Sequence, residues 1–114
     1  MRQDESRLQQ QCIALFKIQY PLYRGRLWAI PNGGHRHIVT AQRLKREGLT
    51  AGVPDLMLSV PMKGYGGMFL ELKTSTGTMS LVQKEFFKKH EAAYYCVTVR
   101  SVENFMQEVA KYLR

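Results

Sequence analysis

The chain has 114 residues, 45% of them hydrophobic, and carries 17 Lys and Arg against 9 Asp and Glu, for a formal net charge of +8. That length and apolar content predict one domain over residues 1–114 and exclude a disordered basic tail. The charge predicts a polyanionic partner, either nucleic acid or an anionic membrane surface. No apolar run approaches the roughly 20 residues of a membrane span, and the charged, Gln-rich start is no signal peptide. Cys12 and Cys96 are too few for a disulfide scaffold or a four-ligand zinc site, and read as small core residues in a reducing cytoplasm.

In chain order, Asp4 is placed to cap a first helix running to about Ile18. Leu8, Cys12, Leu15 and Phe16 form its apolar stripe, and Pro21 ends it. Leu27-Trp28-Ala29-Ile30 reads as a buried strand, and Pro31-Asn32-Gly33-Gly34 breaks the chain. A second helix is expected from about Val39 to Glu47, closing at Gly48. Asp55 to Val60 and Met68 to Lys73 read as two strands of a hairpin around a loop holding Pro61, Gly64, Gly66 and Gly67. Ser80 starts a helix carrying Leu81, Phe86 and Phe87. Tyr94 to Val99 is a β-prone run, and Ser101 caps a last helix with Val102, Phe105, Met106, Val109 and Leu113. The order αβαββαβα predicts an α/β fold, a mixed sheet flanked by helices.

Two of the acids stand out by position. Asp55 opens one hairpin strand and Glu71 lies on the other. Their midpoint, residue 63, falls in the loop, so in a near-symmetric hairpin the two face each other within the roughly 4.5–5.5 Å of cross-strand neighbours. Like charges at that separation repel. A divalent cation between them removes the conflict, and magnesium keeps several waters, so one or two carboxylates suffice to hold it. Lys73 shares the strand face of Glu71 and Phe69, while Leu70 and Leu72 point into the core. A Lys beside a metal-activated water can orient it and stabilise charge on a phosphate oxygen. The same triplet also describes an ordinary Glu/Lys pair on an exposed strand. Gly52 and Pro54, just ahead of Asp55, add close backbone approach and a fixed angle into the strand.

Pro54-Asp55 followed by Glu71-Leu72-Lys73 resembles the pattern of the PD-(D/E)xK nuclease superfamily. The ordered set Asn32-Gly33-Gly34, Gly52-Val53-Pro54-Asp55, Glu71-Leu72-Lys73 and Ser80-Leu81-Val82-Gln83 resembles the virus-type replication-repair nuclease (VRR-NUC) family, small stand-alone phage or bacterial type, over roughly Glu5 to Val99. The resemblance implies a restriction-endonuclease-like fold and a Mg²⁺ cofactor, with Mn²⁺ substituting. It implies Asp55, Glu71, the Leu72 backbone carbonyl and Glu5 as metal ligands, with Gln9 one helical turn beyond Glu5. Lys73 becomes the catalytic lysine, and Gln83 joins Asp55, Glu71 and Lys73 in the catalytic set. Ser80-x-x-Gln83 is also a capping box, and Glu5 also lies in a first helical turn, where the macrodipole favours an acid.

Between Arg24 and Arg46 there are six basic residues and no acid. Asn32, Gly33 and Gly34 can offer backbone amides to phosphates, and Arg36 and His37 can hold the nucleic-acid backbone without reading sequence. Lys45 and Arg46, and Lys84 and Lys88 on one helix face, extend that surface. His35-x-His37 lacks the further ligands of a zinc site. Aromatics do not interleave with these bases beyond Tyr23 and Trp28, so stacking on single strands is not the expected mode. The expected function is a metal-dependent, structure-selective DNA endonuclease. By family analogy it is Holliday-junction resolvase-like and a homodimer, cytoplasmic in a bacterial or phage-infected cell. Alternatives are a flap, nick or duplex nuclease of the same chemistry, or a non-catalytic basic nucleic-acid-binding module; a membrane partner lacks the basic amphipathic helix it would need.

Overall fold

The computed structural model describes residues 2–31 and 38–114. Asn32, Gly33, Gly34, His35, Arg36 and His37, the expected phosphate-contacting turn, lie outside the described residues. Helix α1 spans Arg2–Gln19 and is followed by a 3-10 turn at Pro21–Tyr23, strand β1 (Leu27–Ala29) and helix α2 (Ile38–Arg46). Then come β2 (Leu56–Leu58), β3 (Met68–Leu72), α3 (Leu81–His90), β4 (Tyr95–Val99) and α4 (Val102–Leu113). The sheet order is β1-β2-β3-β4. The first two pairings are antiparallel and β3 with β4 is parallel, the two being joined by the α3 crossover. This is the expected mixed α/β architecture.

Helix ends follow local chemistry. At the end of α2, Leu49 N–H bonds the Leu44 carbonyl at 2.8 Å and Gly48 N–H bonds Lys45 at 3.0 Å. This is a Schellman closure, with Gly48 at φ +107° in the left-handed conformation it requires. Ser101 caps α4 by accepting from Asn104 N–H at 3.0 Å. Asp4 is not a cap. Helix α1 already includes Arg2, so Asp4 and Glu5 lie inside its first turn, where the helix dipole favours acids.

The core lies on one sheet face. Leu56, Leu58, Met68, Leu70, Leu72 and Val99 pack in one cluster with Cys12 and Phe16 of α1 and with Phe105, Val109 and Tyr112 of α4. Tyr112 is buried because its hydroxyl donates to the Val60 carbonyl at 2.6 Å, so its one polar atom is satisfied. Burial pushes the Cys12 thiol up to about 11, as expected for an unreactive core cysteine. Strand β1 departs from expectation. It is an edge strand, and only Leu27 is buried while Trp28 is 46% exposed. No helix among the described residues is long and apolar enough to cross a membrane.

Candidate active site

Residue alternation sends the other half of β2 and β3 to the opposite face. The hairpin register pairs Leu56 with Leu70, Met57 with Phe69 and Leu58 with Met68. Continued by one residue, it sets Asp55 against Glu71. The ladder does continue: Asp55 N–H donates to Leu70 at 3.1 Å and Ile30 N–H donates to the Asp55 carbonyl at 2.9 Å.

Glu71 is 2% exposed, the one charged residue buried among the described residues. Its Oε2 accepts from Gln83 Nε2 at 2.9 Å and lies 3.4 Å from Lys73 Nζ. Its Oε1 is buried with no hydrogen-bond partner among the described residues. Asp55 Oδ2 accepts the Leu72 N–H at 2.7 Å. Burial, with the Asp55 charge adding to it, pushes Glu71 up to about 8 against the pull of Lys73. Burial also raises Asp55, opposed by the Leu72 amide and the Lys73 charge. Two withdrawn acids share one lysine, so the pair is short of positive charge, and an orphaned carboxylate oxygen is an open acceptor. A hard divalent cation fits this donor set. The N–H and C=O of one strand residue point to the same side, so the Leu72 carbonyl lies on the side of its amide, towards Asp55.

The start of α3 holds Gln83 in place. Ser80 Oγ accepts from Gln83 N–H at 3.3 Å, and Gln83 Oε1 accepts from Ser80 N–H at 2.8 Å. That second bond uses the amide oxygen, so the NH₂ group is the one turned to Glu71. The capping box and the site contact are thus two ends of one side chain. Gly52 adopts φ +85°, and a Cβ there would fall against the Val82 carbonyl, 2.7 Å from its carbon and 3.1 Å from Gln83 N. Only glycine lets the segment before Asp55 approach α3 this closely. Further along, Phe69 meets Phe86 edge-on with centroids 5.2 Å apart.

The remaining candidates fall into separate groups. Lys45 and Gln83 line one cavity of about 330 Å³ with Thr50, Gly52 and Val53, so Lys45 is beside the site. Arg46 is exposed at the end of α2. Lys84 and Lys88 line another groove, of about 520 Å³, where Glu85 and Glu91 accompany them. Glu5 lies in the first turn of α1, and no group of three or more His, Cys, Asp or Glu side chains able to hold a metal forms among the described residues. One positioning residue carries no sequence signal. Arg100 Nη1 donates to the Thr74 carbonyl at 2.9 Å and to that of Gly77, tying down the loop between Lys73 and Ser80. Its partners are main-chain carbonyls, which any residue supplies.

No protein-family model matches the chain, and no curated protein matches it. Among solved structures the chain is similar to a "VRR_NUC domain protein", with a TM-score of 0.82 over 96% of this chain and 87% of that one, at 22% identity. The two share a fold.

Proposed function

We propose that residues 1–114 form one VRR-NUC-type nuclease domain, a divalent-metal-dependent endonuclease that hydrolyses DNA phosphodiester bonds. The observation that carries this reading is Glu71: a buried carboxylate facing a second acid, with one oxygen held and the other unpartnered. Asp55, the Glu71 Oε1 atom and the Leu72 carbonyl would hold Mg²⁺ or Mn²⁺. When bound, the cation supplies a Lewis acid that polarises the scissile phosphate and eases deprotonation of water.

The chain's own residues do the rest. Lys73, 12% exposed and ion-paired to Glu71, keeps its ammonium at the edge of the site, where it orients the attacking water and donates to a phosphate oxygen. Gln83 fixes Glu71 Oε2, which leaves Oε1 as the free ligand atom. Lys45 and Arg46, with Lys84 and Lys88 further out, attract and position the DNA backbone without selecting bases.

The preferred substrate is branched DNA, four-way junctions above all, and the active form is a homodimer. One small domain carries one site, and a two-fold pair of sites matches the two symmetry-related strands of a junction. The test is cleavage of labelled four-way junction, flap and duplex DNA with Mg²⁺. Glu71→Gln and Lys73→Ala should each lower cleavage by about 10³-fold while the proteins stay folded and bind DNA. Cleavage that survives both substitutions, or that persists in chelator, contradicts the assignment of this site, whereas DNA binding with no cleavage by the unsubstituted protein leaves a non-catalytic binding module.

A further inference from the structure

We propose that Trp28 is a stacking site for one unpaired nucleobase beside the Asp55–Glu71 centre, an assignment that rests on the nuclease reading for the place of the cut. Trp28 pairs in register with Met57. Met57 and Asp55 are two residues apart on one strand and share a face, so Trp28 stands on the face that bears the acids. One strand over and two residues along puts its Cα about 8 Å from that of Asp55. Trp28 is the one aromatic ring among the exposed large apolar side chains of the described residues. Helix α3 reaches Phe69 through Phe86 and Glu71 through Gln83, both on β3, with β2 lying between them and β1.

The ring is held by its edge. Its indole N–H donates to Ser59 Oγ at 3.2 Å, and Ser59 is itself tied to the Arg26 carbonyl through its N–H at 2.8 Å and its hydroxyl at 3.2 Å. No other ring contacts it among the described residues. An aromatic side chain already oriented and 46% exposed loses little entropy when a base stacks on it.

Charge selects the occupant. Arg26, two residues before Trp28, donates through Nη1 to the Ser59 carbonyl at 2.8 Å, and no acid occurs between Arg24 and Arg46. A second copy of a +8 chain would bring like charge to this edge, whereas DNA brings the opposite. The base must be unpaired, because bases inside a duplex already stack on each other. Stacking was not expected from the sequence, since basic and aromatic residues do not alternate there. The sheet register brings the ring to the site instead. A platform here favours branch points and flaps, which offer an unstacked base next to the cut.

Trp28 is the only tryptophan in the chain, so its fluorescence reports on this residue alone. A thymine oligonucleotide is titrated into the full chain in chelator at low salt, with binding followed independently by anisotropy of the labelled strand. Quenching should saturate in step with binding. Trp28→Ala should weaken binding of the single strand by about 5- to 100-fold, with little effect on blunt duplex, and Trp28→Phe should keep most of the affinity. Glu71→Gln should quench normally, although with Mg²⁺ it cleaves about 10³-fold more slowly. Absence of cleavage in the unsubstituted protein, with quenching intact, would therefore sink the nuclease reading and leave this one standing. Binding without any change in Trp28 emission overturns the proposal, as does equal quenching by fully paired duplex. So does quenching by protein concentration alone, which would assign Trp28 to a contact between two copies.

Discussion

The two faces of the β2–β3 hairpin are built from alternate residues of the same two strands, yet they are opposites. Leu56, Leu58, Met68, Leu70 and Leu72 are each at most 1% exposed and sealed under α1 and α4. Asp55, Met57, Phe69, Glu71 and Lys73 look the other way, towards α3, a helix with no buried residue of its own. One face supplies stability through packing. The other spends stability on two acids withdrawn from water, and α3 holds it through a few specific contacts. A register slip of one residue would exchange the faces, so the hydrophobic core is also what aims the acids.

Substitutions at neighbouring positions on β3 should separate the two faces most strongly. Leu70→Ala should cost about 3–5 kcal/mol, a large part of the roughly 5–15 kcal/mol holding a domain of this kind, and should be seen as a fall in melting temperature. Glu71→Gln, one residue along, should leave the metal-free protein at least as stable near pH 8 while removing metal binding. Equal destabilisation by both would mean that Glu71 is core and not site.

A smaller effect is expected from pH. Glu71 in the folded protein sits at about 8, above the ordinary 4.5. The folded state therefore holds a proton that the unfolded chain has released. The contribution of this group is fully present below about pH 4.5 and is lost as pH rises through about 8. Melts in chelator should show stability falling across that window, by on the order of a few kcal/mol, with Asp55 acting in the same direction. Glu71→Gln should flatten most of the slope. Added Mg²⁺ should reverse it, because the metal binds the deprotonated acids.

The smallest change in stability should come at the seam between the faces. Gly52→Ala should cost about 1–3 kcal/mol, from a strained left-handed φ and a Cβ set against the Val82 carbonyl. Cleavage should fall more than stability does, since α3 carries Gln83 and Gln83 holds Glu71. Thermal melts and cleavage rates on the same variant separate the two.

The site was legible in the sequence where geometry is local. The midpoint of Asp55 and Glu71 predicted their pairing, because an antiparallel hairpin conserves the sum of paired positions, and the observed register has the same centre. Ser80-x-x-Gln83 announced the cap, and the resemblance to the nuclease family, not the spacing, pointed to Gln83 as a site residue. What escaped was set by sheet order and by the main chain. Trp28 reads as buried because an apolar run of four does not reveal that its strand lies at an edge. Asp4 reads as a cap, though the helix begins ahead of it. Tyr112 enters the core on the strength of a bond to a carbonyl 52 residues away, and Arg100 is equally invisible for the same reason.

If Asp55 and Glu71 form a metal site, crystals soaked in Mn²⁺ should reveal it. An anomalous peak should lie about 2.0–2.3 Å from oxygens of both carboxylates, Glu71 Oε1 among them. A protein that cleaves DNA with its metal bound elsewhere, or with that oxygen left unligated, would rule this site out.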